Sequence, residues 1–259
     1  MTTSSRTTIE TVRTVVEQLP GPIRADQNAE LARFAYEVDL VTQHVPRGSA
    51  VCDIGAGWGV LALVLAASGM RSTLLDDFGD AGYREPYAKD VFALWERYGV
   101  RSINRDPSES GLGLEPESLD AITTFDCLEH WHRSPKRMLH QAMEVLKPGG
   151  LLVIGTPNSA NLRKRIDAVL GRTAWSAMGD WYEPETFRGH VREPNVADLL
   201  YMGRDIGLES MEILGRNFAG LASTQPWWVR AVTPLADRVL KVRPSLCSNI
   251  YLLGRKPRA

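Results

Sequence analysis

Cysteine is scarce in this chain of 259 residues, and its count of three is odd. Cys52, Cys127 and Cys247 sit in apolar surroundings, which excludes a disulfide framework and fits a reducing, cytoplasmic compartment. Excess charge of either sign is also missing. Thirty Lys and Arg against 31 Asp and Glu leave a net charge of −1, so no overall basic field marks a nucleic-acid binder. No apolar run approaches the roughly 20 residues needed to cross a bilayer. The segment Met1-Thr2-Thr3-Ser4-Ser5 lacks the basic-then-apolar pattern of a signal peptide. Gly-x-Ser-x-Gly elbows, Walker lysine motifs, Cys-x-x-Cys pairs and His-Glu-x-x-His stretches are all absent. No repeat, low-complexity tract or linker divides the chain, so residues 1–259 read as a single domain.

Glycine, in contrast, is concentrated where it matters. Val51-Cys52-Asp53-Ile54-Gly55-Ala56-Gly57-Trp58-Gly59 reads as a buried strand entering a tight turn, and the apolar run from Val60 as the helix leaving it. The Gly-x-Gly-x-Gly spacing departs from the Gly-x-Gly-x-x-Gly of dinucleotide sites. Asp53, placed before the first glycine, would repel a pyrophosphate. It can instead accept hydrogen bonds from the ammonium and hydroxyl groups of a cationic, phosphate-free cofactor.

Further apolar runs alternate with helical patterns. Strands are predicted at 49–54, 72–76, 100–104, 119–125, 151–156, 210–214 and 249–254, the last antiparallel beside the fifth. Helices are predicted at 8–18, 28–41, 60–68, 85–98, 135–146 and 195–206, with Pro20-Gly21-Pro22 ending the first. Residues 1–48 form a helical cover, while 159–190 and 217–248 are insertions placed to shape an acceptor site or a dimer contact. The second insertion carries Pro226-Trp227-Trp228 and an amphipathic run from Ala231 to Val242. Its readings are a substrate cover, a homodimer contact or, with less weight, a membrane-surface patch.

Asp53 to Gly59 resembles the first motif of the class I S-adenosylmethionine (SAM)-dependent methyltransferases. The helix ending in Lys147-Pro148-Gly149-Gly150 before an apolar strand is similar to a run common in that family. The resemblance is clear over 50–158. It implies an α/β, Rossmann-like fold with a seven-stranded, mostly parallel sheet and helices on both faces. It also implies SAM as cofactor, with Asp53, Gly55, Ala56, Gly57 and Gly59 at the methionine end. Asp76, with Asp77 as runner-up, would meet the ribose and Asp106 the adenine, unless Asp106 merely starts the turn at Pro107. Phe125, closing strand four, is counted with these cofactor residues.

Asp126-Cys127-Leu128-Glu129-His130 follows strand four. It resembles the Glu-x-x-Glu-His of ubiquinone-biosynthesis O-methyltransferases, a stretch associated with a divalent metal. Asp126, Glu129 and His130 are therefore candidate ligands for Mg²⁺ or Mn²⁺, although Leu-Glu-His also occurs in members needing no metal. An alcohol acceptor must lose a proton, so Glu129, His130 and His190 are candidate catalytic groups, whereas His132 beside Arg133 is expected to face solvent. His190 lies in Gly189-His190-Val191-Arg192-Glu193, similar to a stretch of some small-molecule methyltransferases, and could also be a third ligand. Asn/Asp-Pro-Pro-Tyr/Phe, which marks amino-methylating nucleic-acid enzymes, is missing after strand four. The expected acceptor is a hydroxyl on a sugar, glycan or small metabolite, with phenolic or lipid-linked acceptors and a non-catalytic SAM-binding partner as alternatives. Aromatic residues among arginines over 159–190 favour the sugar; a nicotinamide oxidoreductase is disfavoured by the glycine spacing.

Overall fold

The computed structural model describes residues 6–172, 175–221 and 225–258. Three helices come first: α1 (Arg6–Val16), α2 (Gly21–Gln27) and α3 (Leu31–Thr42). Pro20-Gly21-Pro22 ends α1 as expected but also opens α2, because a proline in the first turn loses no helical hydrogen bond. Then β1 (Ala50–Ile54), α4 (Val60–Ala67), β2 (Arg71–Asp76), α5 (Ala88–Arg97), β3 (Arg101–Asn104) and the single turn α6 (Pro107–Ser110) alternate. β4 (Leu119–Phe125), α7 (Lys136–Val145) and β5 (Leu146–Pro157) complete the parallel part. Beyond it lie α8 (Leu162–Val169), α9 (Met178–Tyr182), α10 (Val196–Asp205), β6 (Glu209–Arg216), α11 (Trp227–Leu240) and β7 (Asn249–Arg255).

The seven strands pair in the order β3-β2-β1-β4-β5-β7-β6, with β7 antiparallel to both neighbours. Consecutive strands β1 and β2 diverge from β4 at the centre of the sheet. The loops leaving β1 and β4 therefore part and open a crevice at their carboxyl ends, where ligands bind in such sheets. One prediction needs refinement: Leu146 already pairs with Leu119, and Lys147 to Gly150 bulge from the ladder before Leu151 meets Ala121. Gly149 takes φ +76° in that bulge, a left-handed conformation glycine adopts without a Cβ clash.

Each face of the sheet carries its own apolar cluster. α4 is apolar all round, and α1 and α3 pack over it with Val12, Val15, Val16, Phe34 and Val38. The opposite face buries Met138, Leu139 and Ala142 of α7 and Leu199 of α10. Complete burial of one such Leu contributes about 2 kcal/mol. The N-terminal helices thus belong to the core, and they carry Arg33, Phe34 and Glu37 to the crevice. Residues 1–5, 173–174, 222–224 and 259, within the expected cover, both insertions and the last residue, lie outside the described residues.

Candidate active site

Two adjoining cavities occupy the crevice. The smaller, about 190 Å³, is lined by Asp53, Gly55, Ala56, Gly57, Phe125 and Asp126, with Arg33 and Glu37 reaching in from α3. The larger, about 660 Å³, shares Gly55, Gly57, Trp58 and Asp126 with it and extends past Asp76, Asp106 and His130 to Arg188.

Local chain geometry builds the first half of this site. Gly55 turns with φ +71° so close to Cys127 that an added Cβ would stand 2.0 Å from its Sγ. Gly57, φ +50°, has open space instead, so its backbone faces the cavity bare. Gly59 has a different part: it caps α4 at φ +72° against Leu74 and Trp95 and lines neither cavity. It shapes the turn rather than facing a ligand.

Asp53 is buried and accepts a 2.7 Å bond from the Thr123 hydroxyl. Burial without a counter-charge pushes its carboxyl up to about 7, and nearby Asp76 adds to the rise. A cation in the smaller cavity would reverse that shift. Asp76 receives the amide of Gly57 on one oxygen and that of Phe78 on the other, both at 2.9 Å, which fixes its carboxylate across the larger cavity. Asp77 is exposed at the rim and closes a local turn by accepting from the Gly79 amide. Asp106 lines the cavity while one of its oxygens caps α6, taking the Ser108 amide and hydroxyl. The turn role weighed from sequence is therefore real, and the second oxygen is left for a ligand. Trp58, Phe78 and Tyr83 form an aromatic wall, with Trp58 and Tyr83 centroids 4.4 Å apart.

The second half is assembled from distant segments. Asp126 adopts φ +45°, rare for a residue with a Cβ, and ion-pairs with Arg33, which also reaches Glu37 and Glu30. The expected metal trio of Asp126, Glu129 and His130 is corrected on this point. Among the described residues, one carboxylate and two imidazoles converge, those of Glu129, His130 and His190, one donor atom of each lying within 4.8 Å of the others. Asp126 lies outside that cluster, held by the guanidinium.

Glu129 is buried, with one oxygen accepting the Thr156 hydroxyl and Oε1 left without a partner. Its carbonyl receives the amides of Val191 and Arg192, which draws His190 in. Burial, reinforced by Asp126, raises the Glu129 carboxyl well above the usual range. The Nδ1 of His130 faces the Arg188 carbonyl at 3.0 Å and therefore carries its proton, leaving Nε2 with a lone pair. Burial lowers this imidazole, so it is neutral at pH 7. His190 bonds through Nδ1 to Glu193 at 2.7 Å, and that carboxylate, itself paired with Lys164, raises the ring. The two rings meet edge to face with centroids 4.8 Å apart. His130 lines the larger cavity and His190 stands behind it. His132 is exposed, as expected.

The aromatic residues of the first insertion divide. Phe187 and Arg188 line the cavity, whereas Trp175, Trp181 and Tyr182 are exposed away from its lining. Sequence reading missed Arg33, Glu37, Thr123 and Tyr83. Only Trp58, inside the glycine motif, carried a local signal.

The sheet order and glycine turn define a class I methyltransferase fold, and comparison with known proteins agrees. A family model described as a methyltransferase domain matches residues 26–212. The chain belongs to that family of SAM-dependent methyltransferases. A ubiquinone biosynthesis O-methyltransferase from Burkholderia thailandensis is 27% identical over 184 residues, covering 69% of this chain and 72% of the relative. Among solved structures, a SAM-dependent methyltransferase from Thermotoga maritima superposes with a TM-score of 0.57 at 17% identity, over 95% of this chain and 99% of that one. A Haemonchus contortus phosphoethanolamine N-methyltransferase in complex with SAM gives 0.55 at 15% identity, over 98% and 57%. At those identities the structures speak for the fold alone.

Proposed function

We propose that this enzyme transfers the methyl group of SAM to a hydroxyl oxygen of a small acceptor, with His130 as general base. The observation that carries this reading is an imidazole on the cavity wall whose Nδ1 is tied to the Arg188 carbonyl, which puts the lone pair on Nε2. Curated relatives named as O-methyltransferases support it.

Asp53 would receive the ammonium of the methionine end in the smaller cavity, Asp76 the ribose hydroxyls and Asp106 the adenine, with Gly55, Ala56, Gly57 and Phe125 closing round the cofactor. Asp77 would touch the ribose only from the rim. The acceptor oxygen attacks the methyl carbon as the carbon–sulfur bond breaks, and sulfur leaves as a neutral thioether. The hydroxyl proton passes to Nε2 of His130. Asp126 favours the resulting imidazolium, and neighbouring His190, itself raised by Glu193, opposes it. The residue types fit a sugar, phenol or other hydroxylated metabolite; among the described residues of the aromatic–arginine segment, Phe187 and Arg188 support a sugar from within the cavity.

A metal-assisted form has its own support. Glu129 Oε1 is buried and unpartnered, and both imidazoles have Nδ1 already engaged, the arrangement that orients a ring for ligation through Nε2. Two nitrogens and one carboxylate suit Mn²⁺ better than Mg²⁺. Such an ion would lower the pKa of an acceptor hydroxyl.

Radiolabelled SAM supplied to panels of sugars, phenols and amines decides the acceptor atom, since an alkali-stable methyl ether marks oxygen. His130→Ala is expected to lower kcat by roughly 10² to 10⁴-fold with little change in SAM affinity. Wild-type activity should fall as pH drops below the ordinary imidazole range. Labelling of amines alone, or full activity in His130→Ala, overturns the base assignment. Titration calorimetry of the apoprotein with Mn²⁺, repeated on His190→Ala, reads the metal site separately from turnover.

A further inference from the structure

Helix α11 turns its apolar stripe outward. Trp228, Val232, Leu235 and Val239 recur at helical spacing, and Trp228, Leu235 and Val239 are 57%, 67% and 66% exposed. The opposite side, around Thr233, is what packs on the body of the protein. Arg238 flanks the stripe, Arg230 and Lys241 lie further round the helix axis, and Arg243 follows the helix end; none of the four has an ion-pair partner among the described residues. The helix has one acid, Asp237, and that carboxylate is spent on Arg216 and the Asn217 amide. Its outer surface is therefore apolar and cationic only.

Placement adds to composition. Arg216, at the end of β6, is level with Asn249 and through it with Pro157, the carboxyl end of β5. α11 thus leaves the same edge of the sheet that carries the two cavities. α8 leaves that edge too, exposing Ile166, Val169 and Leu170, and Arg165 ties it to the Ser245 carbonyl just beyond α11.

We infer that α11 is a docking surface for an anionic lipid bilayer, which it meets with the cavity-bearing edge of the sheet. An outward apolar stripe with a tryptophan pair at its start and basic rims is the pattern of a helix lying in the membrane interface. A second copy of the chain fits less well. The stripe could seat another helix, but a two-fold pair would bring the same cations together, and the one acid of each helix, Asp237, is already engaged by Arg216. Anionic headgroups complement the same rims.

Vesicle flotation of the full-length protein tests this without SAM or acceptor, so its outcome is independent of the methyl-transfer reading. The wild type should float with phosphatidylglycerol-rich vesicles at low salt, and much less with pure phosphatidylcholine. Arg238→Gln with Lys241→Gln should weaken binding roughly 25-fold, about fivefold for each basic residue removed from near the surface. Leu235→Glu with Val239→Glu should abolish flotation. All four positions lie outside both cavity linings, so SAM affinity measured on the same preparations checks that the variants are folded. Failure of the wild type to float on anionic vesicles overturns the proposal, as does equal binding to neutral ones. A concentration-dependent dimer that Leu235→Glu dissociates, with no vesicle binding, assigns the stripe to self-association instead.

Discussion

The two halves of the crevice are built by opposite strategies. In the half proposed for the cofactor, most carboxylates are satisfied close by in the chain, Asp76 by Phe78, Asp77 by Gly79 and Asp106 by Ser108, with Asp53, which accepts from Thr123 over 70 positions, the exception. Around the acceptor, polar groups are satisfied across the molecule. Arg33 meets Asp126 over 93 positions, His130 meets the Arg188 carbonyl over 58, and Glu129 holds the backbone at Val191. A turn that caps itself keeps its shape whatever packs around it. An imidazole held by a residue 58 positions away depends on the whole insertion docking correctly. The first strategy suits a cofactor common to a family, and the second lets an acceptor site change when an insertion changes.

Cutting a long link should therefore cost most. Arg33→Met removes the cation shared by Glu30, Glu37 and Asp126 and leaves Glu37 buried with only the Tyr251 hydroxyl. Stability in urea at pH 9, where Glu37 is ionised beside Arg33, should drop by roughly 3 kcal/mol, the cost of stranding a buried charge. Burial already raises Glu37 to about 8 in the intact protein, against an ordinary carboxylate value in the unfolded chain. The native state then holds the extra proton, so this group's contribution declines as pH rises through about 8 and returns as pH falls. The deficit of Arg33→Met should accordingly shrink at pH 6. A constant deficit would mean that the lost energy is packing, not charge.

The same division explains what could be read from the sequence. The glycine turn, the acid closing β2 and the acid opening the Pro107 turn are local patterns, and each lies at the crevice. Strand and helix positions follow from the alternation of apolar runs with helical patterns, whereas the seven-stranded, mostly parallel sheet is what the family resemblance implies. Asp126 is grouped with Glu129 and His130 because 126–130 resembles the metal-associated Glu-x-x-Glu-His of ubiquinone-biosynthesis O-methyltransferases. Its left-handed backbone instead swings with the guanidinium from α3, and no pattern within 126–130 announces Arg33. His190 was visible as a candidate but not as the neighbour of His130; that contact exists because the Glu129 carbonyl captures two amides of another segment. The exposed positions of Trp175 and Trp181 are equally hidden, since aromatic content says nothing of which way a surface segment turns.

A second test addresses the cofactor half by its charge. With Asp53 raised to about 7, a cationic ligand must bind the ionised form, and binding pulls the carboxyl down. SAM affinity should therefore weaken as pH falls below 7, approaching tenfold per pH unit, with a proton released on binding. Calorimetry in buffers of different ionisation enthalpy counts that proton. Asp53→Asn should lose roughly tenfold or more in affinity and lose the pH slope with it. An unchanged slope would move the titrating group elsewhere, to Glu37 first.

The smallest effect separates two neighbours. Asp76 is oriented by two amides across the cavity, and Asp77 faces solvent with its own turn. If both ribose hydroxyls are held by Asp76, Asp76→Ala should weaken SAM by roughly 2 to 3 kcal/mol, two charge-assisted hydrogen bonds discounted for water. Asp77→Asn keeps an oxygen for the Gly79 amide and should change affinity by about twofold at most. Equal losses at the two positions would show that the rim acid shares the ribose, and that this half of the site depends on more than the single oriented carboxylate its local bonds describe.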